Sequence, residues 1–440
     1  MVGRRTLVAD WAMRILIVAF VTVVVTLPFH AFISTWGGTS IGPLLIWKSW
    51  KELLLTALVP VVILYCVLRP DVAKKVWDSW LLRLIAVYVV LHLLYAWGSQ
   101  ASFAAVIAGL MMNLRFLAMF VVGYLIATSK HPWVTRLWKW APPAIFTITI
   151  VLSLMAIAQV AFLPKDFLTH FGYGTSTIMP YTVLDDQPDA LRAFATLRGP
   201  NPLGAYLLIC LAVCAVFIAK QRRNIFAGIS LGLGAVALVL TSSRSAWLGA
   251  GAACAVLVFS LVPVATVLKW VKWWWLPSVV VLVGFFWAAV TIPALRLAVF
   301  HSTIDRTTLT TGSSDKHWTE VTNGLIDVSS SPFGQGVGTA GPASYYNTNN
   351  HPKIAENYFI QLAQELGVIG VALFILLNGM VITLLWERRR DAWAKALLAS
   401  FVGITVINLF LHGWADDPTA MTWWAIAGLY LSSNVAARKK

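Results

Sequence analysis

The chain has 440 residues, of which 59% are hydrophobic and only 12% charged, whereas soluble domains sit near half apolar and a quarter charged. Apolar runs long enough to span a bilayer as helix recur along its whole length, which excludes a soluble globular enzyme. The net charge of +15 does not mark a nucleic-acid binder, because the basic residues sort by side of the membrane.

In chain order, apolar runs predict helices at about 11–33, 44–68, 79–97, 102–128, 141–163, 202–219, 224–242, 245–263, 274–294, 357–385, 393–412 and 420–436. The first run follows Arg4, Arg5 and Arg14 and ends without a small-residue cleavage site, so it reads as a retained helix. The 102–128 run carries Asn113 and Arg115 at its middle and allows two short helices instead of one. Alternate connections hold Arg69, Lys74, Lys75 and Arg83, then Lys130, Arg136 and Lys139, then Lys220, Arg222 and Arg223, then Lys269 and Lys272, then Arg388 to Arg390 with Lys395, and finally Arg438 to Lys440. That alternation obeys the positive-inside rule for an all-α, polytopic bundle of about twelve transmembrane helices with both termini cytoplasmic. Residues 1–440 read as a single integral membrane domain of the bacterial cytoplasmic (inner) membrane. The cysteines Cys66, Cys210, Cys214 and Cys254 read as small buried hydrophobes, with no metal-ligand spacing.

The same register puts the two longest loops, 164–201 and 295–356, on the extracytoplasmic face, together with Arg244 and the His412-to-Asp417 turn. Long loops expected to lack secondary structure are usually functional. In the first, Arg192 and Arg198 precede P-N-P-L-G, where Asn201 is placed to cap a helix with Pro202 at its first position. A helix N-terminus beside two guanidinium groups suits a phosphate, though headgroup phosphates or Asp185, Asp186 and Asp189 are rival partners. Arg244 interrupts an apolar stretch at T-S-S-R-S; it is either a snorkelling anchor or, with its serines, an anion ligand. Two arginine clusters from separate hairpins would together clamp a pyrophosphate.

The second loop carries glycines at 334, 336, 338 and 341, without the strand that a dinucleotide motif requires, so they read as close-packing backbone. Glu356 stands at a helix mouth and is either a general base or a carboxylate favoured by the helix dipole. His351 and His317 are loop histidines that offer alternative proton acceptors. Lys48, Lys51 and Glu52 start a helix on the outer side and meet a lipid-linked phosphate or one another. Arg115 must face protein or water rather than lipid, and Glu365 needs a buried partner. No spaced carboxylate pair holds a metal-nucleotide sugar in a convincing context, and no Walker motif is present.

R-A-F-A-T-L-R-G-P-N-P-L-G-A-Y-L, S-S-R-S-A-W-L-G, P-F-G-Q-G-V-G-T-A-G and E-N-Y-F-I-Q-L-A-Q-E-L-G-V-I-G occur in the order seen in the O-antigen ligase and polymerase superfamily, which this chain resembles over roughly residues 190–375. The resemblance implies a GT-C-like, inverting, metal-independent glycosyltransferase without cofactor. Its donor would be an undecaprenyl-pyrophosphate-linked glycan and its acceptor a lipid-linked glycan or lipid A core, with a chain-length co-polymerase as a further partner beside membrane lipids. It also implies Arg192 and Arg244 as pyrophosphate ligands. Glu356 stands where many ligases of that family carry a histidine, which tilts the reading towards a polymerase-like or otherwise non-lipid-A enzyme, with His351 as the alternative base. A lipid-linked glycan flippase or secondary transporter is the rival class, but such proteins show halves related by repeats, and none are evident here.

Overall fold

The computed structural model describes residues 2–184, 187–221, 223–261, 266, 277, 280, 283–284, 287–288, 291–292 and 313–432. Most of the helix expected at 274–294 lies outside them, as do Lys269, Lys272, Arg222, Asp185, Asp186 and Arg438 to Lys440. Long apolar segments become helices because only internal hydrogen bonding satisfies the backbone in lipid. Eight helical stretches among the described residues are long and apolar enough to cross a membrane, and two shorter apolar helices accompany them.

The first stretch is α1 (Val2–Thr26) followed, across a 3-10 turn at Leu27–Phe29, by α2 (His30–Ser40). The expected helix 11–33 is therefore broken, at Pro28, which can neither donate a helical bond nor fit the preceding turn. Then come α3 (Leu44–Leu68), the short α4 (Pro70–Trp77), α5 (Trp80–Trp97) and α6 (Phe103–Thr128). α6 is one unbroken helix: Arg115 is accommodated by Glu52 on α3 and by Ala415 and Asp417, so nothing forces a break. α7 (Pro132–Ala161) starts earlier than expected, because His131 caps it and Pro132 occupies its first position. α8 (Pro200–Lys220), α9 (Ile225–Leu240) and α10 (Arg244–Leu261) follow.

Neither long loop is structureless. The first contains a two-stranded antiparallel hairpin, β1 (Thr182–Leu184) and β2 (Gln187–Arg192), a small departure from an all-α chain. The second contains a polar helix, α11 (Ser313–Ser330), and a 3-10 turn at Gly341–Tyr346. The bundle closes with α12 (Tyr358–Glu387), α13 (Ala392–Asn408) and α14 (Asp417–Ser432). α14 is almost wholly buried against α6, where Trp414, Trp423 and Trp424 pack edge to face at 5.2–5.8 Å between ring centroids. Such contacts exceed simple area burial in strength. The cysteines divide: Cys210 and Cys214 are buried, but Cys66 is half-buried and Cys254 exposed, because α3 and α10 turn those faces outward.

α12 is broken at Gly367, whose φ of 66° and ψ of −171° are not helical. The Gly-rich loop fills the break. The amides of Gln335 and Gly336 donate to the carbonyls of Gln364 and Glu365 (2.8 and 2.9 Å), and Val368 N–H donates to Pro332 (3.0 Å). Irregular backbone at membrane depth survives only where protein satisfies it in this way. Gly338, at φ 87°, lies so close to α6 that a Cβ there would stand 2.4 Å from the carbonyl oxygen of Ala105. Its N–H and the Asn113 amide both donate to Glu365 at 2.7 Å, which names the partners that this buried carboxylate requires.

Candidate functional site

Direct contacts join the connections that the sequence assigns to one face. Arg192 donates from Nε to Thr241 O (2.9 Å) and from Nη2 to Asn201 Oδ1 (3.0 Å) and Ser242 O (3.3 Å). Arg198 pairs with Asp416 at 3.0 Å, and Asn357 donates to Leu409 O at 3.0 Å. His317, on α11, is hydrogen-bonded to Glu356.

The two arginine hairpins are thus one assembly. Arg192 ends β2 and is bonded to the turn that leads into α10, whose first residue is the half-buried Arg244. Ser243 and Ser245 lie 3.3 Å apart through their hydroxyls at that helix start. Asn201 does not cap α8. The helix begins at Pro200 with Gly199 at the cap, and the Asn201 side-chain oxygen instead accepts from Arg192. The loop between is held by Gln159 of α7, which accepts from Ala195 N–H (2.7 Å) and donates to Ala195 O (2.9 Å). Ala195, Ser242 and Glu356 all have positive φ, at 51°, 48° and 48°. Left-handed backbone at non-glycine residues is costly and concentrates at functional sites.

Glu356 caps no helix; Asn357 does that, accepting from Phe359 and Ile360 N–H. The carboxylate is therefore not committed to the helix terminus and faces His317. Electrostatically, His412 senses Glu356, Arg198 and His317 together. Burial is the main cause that pushes its imidazole down to about 4; the charges of Arg198 and His317 add to this, and Glu356 opposes it. His412 is thus neutral at ordinary pH.

Beneath these groups lies a buried ion network. Lys51 is bonded to Asp417 (2.7 Å), His30 Nε2 (2.9 Å) and Glu52 (3.1 Å). Arg115 is bonded to Glu52 (2.8 Å), to the carbonyl of Ala415 (2.8 Å) and to Asp417. Trp50 donates to the other nitrogen of His30 at 2.9 Å. Of the residues singled out by sequence, Lys51 and Arg115 belong to this network, whereas Lys48 is exposed and contributes only its carbonyl. His351 is exposed, and none of the described contacts joins it to Glu356. Sequence reasoning missed His30, Gln159 and the role of His412, each a lone polar residue in or beside an apolar run.

These groups come from both halves of the chain. A family comparison matches residues 229–375 to the family described as O-Antigen ligase. Over that third of its length the chain is similar to the O-antigen ligase family. The matched segment runs from within α9 to a point in α12 beyond Gly367, and so contains Arg244, His317, Glu356 and Glu365. Arg192, Arg198, His412, Asp416 and the ion network lie outside it; Arg192 reaches it at Thr241 and Ser242, and Leu409 meets it at Asn357. No curated protein matches the chain.

Proposed function

We propose that this protein is an integral membrane glycosyltransferase that transfers or polymerises glycan from an undecaprenyl-pyrophosphate-linked donor on the extracytoplasmic face. The observation that carries the reading is the His317–Glu356 pair, set beside His412 and Arg198 at the mouth of α12. The acceptor hydroxyl oxygen attacks the anomeric carbon of the donor sugar as the bond from that carbon to the pyrophosphate oxygen breaks, with inversion. The hydroxyl proton passes to the Glu356 carboxylate, which His317 orients. The bonding pair leaves with the pyrophosphate, whose growing charge is met by the guanidinium groups of Arg244, Arg192 and Arg198. Arg192 also has a fixed architectural task, since three protein acceptors hold it against the Arg244 turn. Because Glu356 serves where a histidine stands in many ligases, the reading favours a polymerase over transfer to lipid A core.

Purified protein in lipid nanodiscs, supplied with an undecaprenyl-pyrophosphate oligosaccharide alone, tests this. Mass spectrometry is expected to show a ladder of repeat-unit masses, lost by at least about a hundredfold in Arg244→Ala. A single transfer only after lipid A core is added identifies a ligase. Full activity in Arg244→Ala and Arg192→Ala refutes the clamp.

A further inference from the structure

We propose that the buried ions of α3, α6 and α14 form a positioning device, in which Arg115 and Lys51 hold the 409–417 turn and thereby set Arg198 and His412 against Glu356. The inference rests on the reading of Glu356 and Arg198 as groups of the reaction site. Lys51, Glu52 and Arg115 are 2%, 8% and 9% exposed in their side chains and Asp417 15%. Two cations and two carboxylates balance, so the network keeps no surplus positive charge for a phosphate. That separates Lys51 and Arg115 from the arginines proposed to bind substrate. Ions buried in this way are weak sources of net stability compared with apolar packing, and within a membrane segment they are rare without a functional task.

The network acts on one short segment. Arg115 grips both the carbonyl of Ala415 and the carboxylate of Asp417. The next carboxylate back, Asp416, pairs with Arg198 and accepts from Thr419 Oγ1 at 3.1 Å. Ala415 N–H donates to His412 O (3.0 Å), and Trp414 N–H donates to Asn408 Oδ1 (3.0 Å). At its start the segment meets Asn357, the neighbour of Glu356, through Leu409 O. A displacement of Asp417 is thus passed to Asp416 and Arg198 on one side and to His412 and Asn357 on the other.

The experiment compares wild type, Asp417→Asn, Arg115→Lys and Arg115→Met in nanodiscs. It reads kcat and the donor KM, and follows backbone hydrogen exchange over residues 409–417. We expect kcat to fall between about ten- and a hundredfold in Asp417→Asn and Arg115→Met, the scale on which small misplacements cost rate. The donor KM should be little changed and exchange faster in that segment, with Arg115→Lys recovering part of kcat. Should Arg115→Met fail to fold, the near-isosteric Asp417→Asn and the conservative Arg115→Lys decide. Unchanged kcat in folded Asp417→Asn overturns the inference, and so does a raised KM at constant kcat, which would make these residues substrate ligands. Altered exchange in a protein whose wild type shows no transfer would instead overturn the glycosyltransferase reading.

Discussion

A carboxylate at a helix mouth is ordinarily stabilised by the helix dipole, and Glu356 departs from that pattern because Asn357 takes the capping role. Its backbone sits at φ 48°, which holds the side chain towards His317. Glu356→Gln keeps the shape and removes the proton acceptor. Turnover should fall by at least about a hundredfold while donor binding stays near wild type. Isothermal titration with donor, alongside single-turnover rates, checks the split; unchanged turnover would move the base to one of the histidines. His351, exposed on its loop, is the poorer candidate of those, and His317 the better.

At the scale of elements, the long loops owe their order to the helices they touch. The 332–338 segment supplies the hydrogen bonds that α12 loses at Gly367, and α6 approaches it closely at Gly338. Gly338→Ala would combine a left-handed φ with a Cβ 2.4 Å from backbone oxygen. Strain of the first kind alone costs about 1–3 kcal/mol. We expect a lower midpoint of thermal unfolding and a loss of activity with it, measurable by scanning fluorimetry in detergent; a midpoint equal to wild type would show that loop and α6 can part without cost. The motif P-F-G-Q-G-V-G-T-A-G is thereby explained as packing rather than ligand binding.

For the whole molecule, His412 ties fold to pH. The folded protein keeps His412 neutral down to about pH 4, whereas an ordinary histidine protonates near 6.5. Between those values this residue binds more proton in the unfolded chain, so its contribution to stability is complete above about 6.5 and is lost as pH falls towards 4. Unfolding midpoints followed from pH 7 to 4 should decline across that window, and His412→Gln should flatten the slope. An identical slope in the variant would assign the acid sensitivity to other groups.

Hydrophobic patterning alone determined that the chain is a helical membrane bundle, and local sequence found most helix positions, because a backbone in lipid has almost no alternative to helix. Short motifs of Arg, Gly, Ser and Glu also single out Arg192, Arg244 and Glu356 in the sequence itself. Tertiary structure decided the partners. Asp416 for Arg198, Asn113 and Gly338 for Glu365, and Glu52 with Asp417 for Arg115 lie far apart in sequence. No local spacing encodes such pairs, since they arise when helices bring isolated polar residues of otherwise apolar runs together, and burial then makes each one require a partner.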